Sequence, residues 1–327
     1  MSTKGYHSYR GKNTGGKVAL IVLLLLILLA AVGYLLAQEF VVYDDEGRAH
    51  LELPWHQAPE EPDKPDPLPD DDVDITRDEP QRLPVQTLHA QELPYGCLGS
   101  DPTALLTGQE AVAVNVKLYD GSVAYHTGVT LPGSVLSGGL GTLNQLQAIL
   151  SSDCYTVARL ACFCDNAYAL ARPEEAALCT PTGALFRDEN ERRWLDPSKP
   201  ETLSYLSALA RECAQLGFDE ILLDWFSYPL SGDTGTLELP EDRETVLRDF
   251  AQALRRQLPE DTRLSVVLRQ TPAADSGLAM KWLADEFERV YVMDGVSLTG
   301  LPASYDRNDR VVYITHAPTA GSYLLAQ

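Results

Sequence analysis

The feature that most constrains the fold of this chain is a repeated alternation of strand-like and helix-like segments from residue 83 to the end. Apolar, β-branched runs recur at residues 84–90, 111–119, 154–163, 220–226, 263–270, 289–295, 310–317 and 322–327. Patterns with helical spacing separate them at residues 143–152, 200–217, 241–259 and 279–289. This alternation is typical of parallel strands joined by crossover helices. Eight strands in one domain favour a closed (β/α)8 barrel. A doubly wound open sheet is the alternative, but the sequence lacks its usual glycine-rich phosphate loop.

The N-terminal part of the chain predicts a membrane anchor. Residues 18–37 form an uncharged apolar run, and about 20 helical residues span the ~30 Å hydrocarbon core of a bilayer. Basic residues precede the run and acidic residues follow it, which predicts a cytoplasmic tail at 1–17 and an extracytoplasmic remainder. A cleavable signal peptide is the alternative, although its apolar core is usually only about 7–15 residues long. The expected location is therefore the cell membrane, with a single pass.

Residues 38–82 are rich in aspartate, glutamate and proline, and they predict a disordered, extended stalk between the anchor and the globular domain at 83–327. A cation-binding acidic tract is the lesser alternative. The formal net charge of the whole chain is −21, which argues against nucleic acid as a partner because phosphate binding needs a basic surface.

The six cysteines show no spacing that predicts a metal site. There is no CxxC pair, so a zinc centre is not expected. An extracytoplasmic location would permit disulfides, but the spacing assigns none. Buried free thiols are the default expectation, and no cofactor is predicted.

Polar and aromatic side chains gather at the ends of the predicted strands. In a parallel barrel, functional residues lie at the carboxyl-terminal ends of the strands. The chain places acids, bases and aromatic residues there, namely His89, Gln91, Glu92, Asn115, Lys117, Asp120, Arg159, Asp165, Asp224, Trp225, Tyr228, Arg269, Gln270, Asp294 and His316. Such a rim suits a carbohydrate, which is held by a few placed polar groups and by apolar or aromatic surfaces. A triad role for His316 is not favoured, since no serine or cysteine nucleophile motif accompanies it.

Four segments resemble one family in order and at the right intervals. "GFDEILLDWFSYP" (217–229) is similar to the family motif "GFDEIQFDYVRFP", and "YTVARLACFCDNAYA" (155–169) to "YVIARIVVFKDPVLA". "WLDPSKPETLSYLSALARECAQLG" (194–217) and "AVAVNVKLYDGSVAY" (111–125) also have counterparts. The family is the putative glycosyl hydrolase domain, a bacterial family assigned to the TIM-barrel glycosidases. The resemblance, over about residues 83–300, implies a TIM barrel that acts on a polysaccharide.

Glycosidases mostly use two carboxyl groups, and the resemblance implies that Asp224 is one of them. Arg159, Asp165 and Lys117 match family positions on the neighbouring strands. Three departures concern the same region: Asn115 stands where the family has an aspartate, Ser227 where it has an arginine and Val267 where it has an acid. The second carboxyl group would then be Asp294 or Glu92.

The sequence therefore predicts a membrane-anchored protein like a glycoside hydrolase, with Asp224 and Asp294 as catalytic residues. The predicted substrate-binding residues are Arg159, Asp165, Lys117, Trp225, Tyr228 and Glu92. A catalytically degenerate barrel that binds a glycan or a protein partner is the alternative. A purely structural envelope protein, with a rim filled by loops, is a third possibility.

Several of these residues also have plain structural interpretations. Asp224 could accept hydrogen bonds from loop amides, and Arg159 could be a buried partner of Asp224 or Asp165. Asp165 could cap the turn that follows it, and Lys117 could be a surface charge. Glu220, together with Asp219, precedes the fourth strand, at the stability face of a barrel, and is expected to be structural.

Overall fold

The computed structural model describes residues 41–43, 49–51, 87–94, 96–132, 143–303, 305 and 307–326. The chain divides into two compact units, Met1–Asp74 and Ile75–Gln327. In the first unit, β1 (Val41–Tyr43) pairs antiparallel with β2 (Ala49–Leu51), with Val41 opposite Leu51.

The second unit is a closed barrel of eight parallel strands, which confirms the predicted architecture. The strands are β3 (His89–Glu92), β4 (Ala111–Lys117), β5 (Tyr155–Ala161), β6 (Glu220–Asp224), β7 (Arg263–Leu268), β8 (Arg289–Val292), β9 (Val311–Thr315) and β10 (Tyr323–Leu325). Each strand pairs with its neighbours in chain order, and β10 closes the ring on β3 through the pairs that begin with Tyr323 and His89. The described helices and the strands that they connect form a (β/α)8 TIM barrel.

Alternate strand residues point into the barrel or out towards the helices. The inner set is largely apolar, and it includes Leu88, Ala111, Val157 and Leu222 below the rim and Val267 at the level of the rim. The outer set belongs to a larger core beneath the helices. Strands β4 to β8 are therefore largely buried on both faces, which explains why they read as continuous apolar runs in the sequence.

The described helices that cover the barrel are α1 (Thr103–Leu106), α2 (Leu143–Leu150), α3 (Asn166–Ala171), α4 (Pro200–Leu216), α5 (Arg243–Arg255), α6 (Met280–Glu286) and α7 (Arg307–Arg310). Four of them follow the predicted segments, and the three short ones, α1, α3 and α7, were not predicted. Helix α4 begins with proline in its first turn and ends at Gly217, whose φ of 105° is the left-handed conformation that glycine adopts without strain.

A buried polar cluster lies at the amino-terminal end of the barrel strands, opposite the rim where functional residues are expected. Arg289 Nη1 donates to Glu220 Oε2 at 2.6 Å, and Tyr155 Oη donates to the same oxygen at 2.9 Å. Glu220 and Arg289 are almost fully buried. The prediction that Glu220 is structural is therefore confirmed, since a buried charge needs a paired partner.

Of two predictions for the N-terminal part, one is corrected by the structure and the other lies outside the described residues. The predicted stalk at 38–82 contains the β1–β2 pair, which corrects the expectation of disorder throughout. The reason lies in local sequence, because residues 41–43 are β-branched and aromatic, which favours a strand. The predicted anchor at 18–37 falls outside the described residues. Within the described ranges, no helix has the length and apolar character needed to cross a bilayer.

Candidate functional site

Asp224 is the last residue of β6 and lies at the carboxyl-terminal rim, where only 4% of its surface is exposed. Five nitrogen atoms surround its two carboxylate oxygens at 2.6–2.9 Å, namely Nε and Nη2 of Arg159, Nε and Nη2 of Arg269, and the backbone N of Trp225. An ionised carboxylate offers about four acceptor positions. The acceptor capacity of Asp224 is therefore fully used by the protein itself.

The electrostatic state of Asp224 follows from these contacts. Burial raises the pKa of its carboxyl group, but the positive charges of Arg159 and Arg269 outweigh burial and hold that pKa below its usual value. Burial lowers the pKa of Arg159, but Asp224 and Glu92 outweigh it and raise that pKa further. Asp224 is thus an ionised acceptor at neutral pH.

A second carboxyl group, that of Glu92 at the end of β3, shares the Arg159 guanidinium. Arg159 Nη1 donates to Glu92 Oε1 at 2.9 Å, and Asn115 Nδ2 donates to the same oxygen at 2.6 Å. Because one guanidinium bridges both acids, Glu92 Oε1 and Asp224 Oδ2 lie within about 8 Å of each other. Among the described residues, Glu92 Oε2 has no hydrogen-bond partner.

Trp225 follows Asp224 in an uncommon backbone conformation, with a φ of 53°. The guanidinium carbons of Arg269 and Arg192 lie 4.0 and 4.5 Å from the centroid of its ring. Trp194 packs edge-on at 5.8 Å, and Tyr119, which is 49% exposed, lies at 6.2 Å. The rim therefore carries an aromatic cluster that is overlaid by two cations.

A cavity of about 240 Å³ opens beside this cluster. Its polar lining includes Arg192, Arg269, Glu189, Gln270 and Ser231, and its apolar lining includes Trp194, Trp225, Phe226, Val267, Leu230 and Leu278. Val267, which stands where the resemblance implies an acid, thus forms part of an apolar wall.

Lys117 and Asp165 occupy a different place from the rim cluster. Lys117 Nζ lies 2.8 Å from Asp165 Oδ2 and donates to the carbonyl of Ala161 at 2.6 Å, with side chains only 1% and 0% exposed. Asp165 Oδ1 accepts from the backbone N of Tyr168 and caps α3, which confirms the capping interpretation. Neither side chain is open to a ligand, because each satisfies the other in the interior.

Tyr228 and Asp294 form no hydrogen bond or ion pair with Asp224 in the part of the chain that the structure describes. Tyr228 is only 1% exposed, and its backbone N donates to the carbonyl of Ser276. Asp294 is an exposed residue after β8, and no ion pair or hydrogen bond joins its side chain to any other described residue. Glu92, rather than Asp294, is therefore the carboxyl group that the fold brings together with Asp224.

Three important rim residues had no role assigned from the sequence: Arg269, Arg192 and Tyr119. The position of Arg269 directly after β7 was a usable signal, since strand ends mark the rim. Arg192 comes from a long loop between α3 and α4, and no local pattern indicates that this loop returns to the rim. In the part of the chain that the structure describes, no three His, Cys, Asp or Glu residues form a metal-binding group. All six cysteines are free thiols.

Residues 104–268 match the family model described as a putative glycosyl hydrolase domain. This match covers β4 to β7 and includes Arg159 and Asp224, whereas Glu92 and Arg269 lie outside it. A search of curated proteins gives no match.

Solved structures with a similar fold include a hypothetical protein from Ruminiclostridium thermocellum. It is 26% identical with a TM-score of 0.46, over 54% of this chain and 96% of that one. An alpha-galactosidase from Thermus thermophilus is 16% identical with a TM-score of 0.40, over 67% of this chain and 52% of that one. A chitobiase from Flavobacterium johnsoniae is 14% identical with a TM-score of 0.43, over 71% of this chain and 38% of that one. The chain thus spans about half or less of the length of these two enzymes.

Proposed function

We propose that this protein, which belongs to the family of the putative glycosyl hydrolase domain, binds carbohydrate at the rim of its barrel and does not use Asp224 as a reacting group. The observation that carries the proposal is the saturation of Asp224 by four hydrogen bonds and one further ion-pair contact. A carboxylate that acts as nucleophile or base needs an unoccupied lone pair directed at the substrate or at a water. Asp224 could offer one only by leaving an arginine.

In this proposal the role of Asp224 is to hold Arg159 and Arg269 in place. Charge-assisted bonds to a buried carboxylate fix the orientation of both planar guanidinium groups. Arg159 Nη1 is bound to Glu92, so the preoriented donor left for a ligand is Nη1 of Arg269, whose only partner among the described residues is the thioether of Met293. Preoriented donors are what a site needs in order to recognise the hydroxyl groups of a sugar, because less side-chain entropy is lost on binding.

The aromatic surface for the sugar is supplied by Tyr119 and the edge of Trp225. Tyr119 is one of the few large apolar side chains that remain strongly exposed, and it lies beside Trp225 at the rim. An exposed aromatic ring next to oriented polar groups is a common feature of ligand sites.

A second candidate function, hydrolysis, is favoured by one observation. Glu92 keeps Oε2 free and lies within about 8 Å of Asp224, which is compatible with the ~5–9.5 Å range between the two carboxyl groups of glycosidases. In that case Glu92 would donate the proton, and Asp224 would have to exchange one arginine contact for a water or for the sugar.

The cellular location belongs to the same proposal. The apolar run at 18–37 and the acidic segment after it support a barrel held outside the cytoplasm by a single anchor. A polysaccharide of the envelope or of the surroundings would then be the natural ligand. Protease treatment of intact cells that express the full chain, followed by detection of the barrel, would test this location.

The test of function uses the full-length protein and a panel of bacterial cell-wall and plant glycans, with binding and release of reducing ends recorded together. The variants are Tyr119→Ala, Glu92→Gln and, as a matched control, Tyr313→Ala. Tyr313 is an exposed aromatic residue on the outer face of β9. We expect Tyr119→Ala to weaken glycan binding about 3- to 10-fold and the control to leave it unchanged. Product release that disappears in Glu92→Gln would favour hydrolysis instead, and no binding to any glycan would overturn both.

A further inference from the structure

The cavity beside Trp225 contains cationic donors that the protein leaves unused. Arg192 donates through Nε to Asp188 Oδ2 at 2.7 Å, and its two Nη atoms have no hydrogen-bond partner among the described residues. Arg269 uses Nε and Nη2 for Asp224, and its Nη1 has only the thioether of Met293 at 3.8 Å. A thioether sulfur is a weak acceptor.

The carboxylates that pair with Arg192 and Arg269 already accept hydrogen bonds from several groups of the protein. Asp188, whose side chain is fully buried, accepts from Arg192 Nε and Trp194 Nε1 through Oδ2 and from two backbone amides through Oδ1. Asp224 is saturated in the same way. The groups presented to the cavity are therefore guanidinium N–H donors, although the chain as a whole is strongly acidic.

Trp225 holds the two guanidinium groups together. Both lie over its ring, although one comes from the loop between α3 and α4 and the other from the end of β7, and the backbone of Trp225 is left-handed. A non-glycine residue in this conformation costs about 1–3 kcal/mol and persists where the surroundings enforce it, which is most common at ligand sites. Here the backbone N of Trp225 is fixed by Asp224 Oδ1 at 2.7 Å.

We propose that this cavity recognises a carboxylate carried by the saccharide, so that the ligand is an acidic glycan built from uronic acid units. This inference rests on the proposed carbohydrate-binding function and names its substrate class. The free fork of Arg192 matches the two oxygens of a carboxylate, and Nη1 of Arg269 supplies a further donor. Gln270 and Ser231, which also line the cavity, are placed for the sugar hydroxyl groups.

Glu189 allows the preference of the cavity for an acidic ligand to be tested separately from the arginines. It is the acidic residue among those lining the cavity, and it is exposed. A carboxylate at this position repels an acidic ligand, although water and salt weaken the repulsion. Its removal should therefore strengthen the binding of an acidic glycan and leave a neutral one unaffected.

The experiment measures binding of the full-length protein to uronic acid oligosaccharides by calorimetry. The comparison is with the same oligosaccharides after reduction of their carboxyl groups to alcohols. The variants are Arg192→Gln, Arg192→Lys, Glu189→Gln and the control Arg187→Gln. Arg187 lies in the same loop but is paired with Glu191 at the surface. Thermal unfolding of each variant shows whether it is folded.

We expect the acidic oligosaccharides to bind at least about 10-fold more tightly than their reduced forms, with that preference lost in Arg192→Gln. Arg192→Lys should keep only part of it, because lysine lacks the fork. Equal binding of both forms would overturn the inference while leaving the carbohydrate function standing. Acidic binding that does not change in a folded Arg192→Gln variant would also overturn it. Failure of every oligosaccharide and every neutral glycan to bind would overturn the function as well.

Discussion

Arg269, directly after β7, donates two parallel hydrogen bonds to Asp224 at the end of the neighbouring strand β6. They run from Nε to Oδ1 at 2.6 Å and from Nη2 to Oδ2 at 2.7 Å. The family resemblance implies an arginine three residues after Asp224, where this chain has Ser227. In this protein the second cation beside Asp224 comes instead from the end of β7. A bidentate bond of this kind fixes the plane of the guanidinium as well as its position, so the arrangement of the rim depends on Asp224.

Asp224→Asn is expected to destabilise the protein by about 3–5 kcal/mol at pH 7, because it leaves two buried or half-buried arginines without their shared counter-ion. Urea unfolding monitored by circular dichroism gives the free energy of unfolding of both proteins. A loss below about 1 kcal/mol would mean that the rim network is not held together by this charge.

The difference in unfolding free energy between the wild type and Asp224→Asn is expected to depend on pH. The folded-state pKa of Asp224 is lowered by Arg159 and Arg269 against the effect of burial, so its charge stabilises the fold above the unfolded value of about 3.9. That contribution is lost as the pH falls from there through the lowered folded value. The stability difference between wild type and Asp224→Asn should therefore be constant from pH 5 to 7 and shrink steadily towards pH 2. A difference that stays the same at low pH would contradict the lowered pKa.

Glu92→Gln and Asp294→Asn separate the two predicted partners of Asp224. Glu92 shares Arg159 with Asp224, whereas Asp294 is exposed and forms no ion pair or hydrogen bond with another described side chain. We expect Glu92→Gln to reduce glycan affinity about 10-fold or to abolish any turnover, and Asp294→Asn to change neither. An Asp294→Asn variant that loses function while remaining folded would restore Asp294 as the partner.

Lys117→Met should destabilise the barrel by about 3–5 kcal/mol, because it leaves the carboxylate of Asp165 buried without a counter-ion. Adding Asp165→Asn in the same chain should recover part of the loss, since the uncompensated charge is then removed. Denaturant unfolding of the two single variants and the double variant measures this coupling. Strictly additive losses would show that the two groups do not depend on each other.

Gly121→Ala and Gly108→Ala form a matched pair that separates backbone strain from steric overlap. Both glycines have positive φ, 94° and 77°, so alanine costs about 1–2 kcal/mol at either position because its Cβ disfavours left-handed backbone. Nothing lies within 4 Å of a Cβ at Gly108, whereas a Cβ at Gly121 would press on Asp165 Oδ1 and lie 2.7 Å from Ala167 Cβ. We expect Gly121→Ala to be the more destabilising by about 1–3 kcal/mol. Equal melting temperatures for the two variants would contradict the close packing at α3.

The sequence predicted those parts of the structure that depend on local pattern. The eight strands and the four longer helices were visible because strands buried on both faces are continuous apolar runs and surface helices repeat every 3.6 residues. Asp224, Arg159 and Glu92 could be placed at one rim because parallel strands bring their carboxyl ends together. The helix end at Gly217 followed from the left-handed conformation that glycine tolerates.

Only the tertiary structure decided which side chains meet. Lys117 and Arg159 are both basic residues near strand ends. Lys117 is buried and pairs with Asp165, whereas Arg159 bridges two carboxylates at the rim. The choice depends on which way each side chain points and on what the closed barrel places opposite it, and neither is encoded locally. Likewise, Arg192 comes from a long loop, and only the folded chain shows that this loop brings it to Trp225. The chain's own pattern thus determined the barrel and which side chains stand at its carboxyl-terminal rim, whereas the closing of the ring and the return of its loops determined which of those side chains meet.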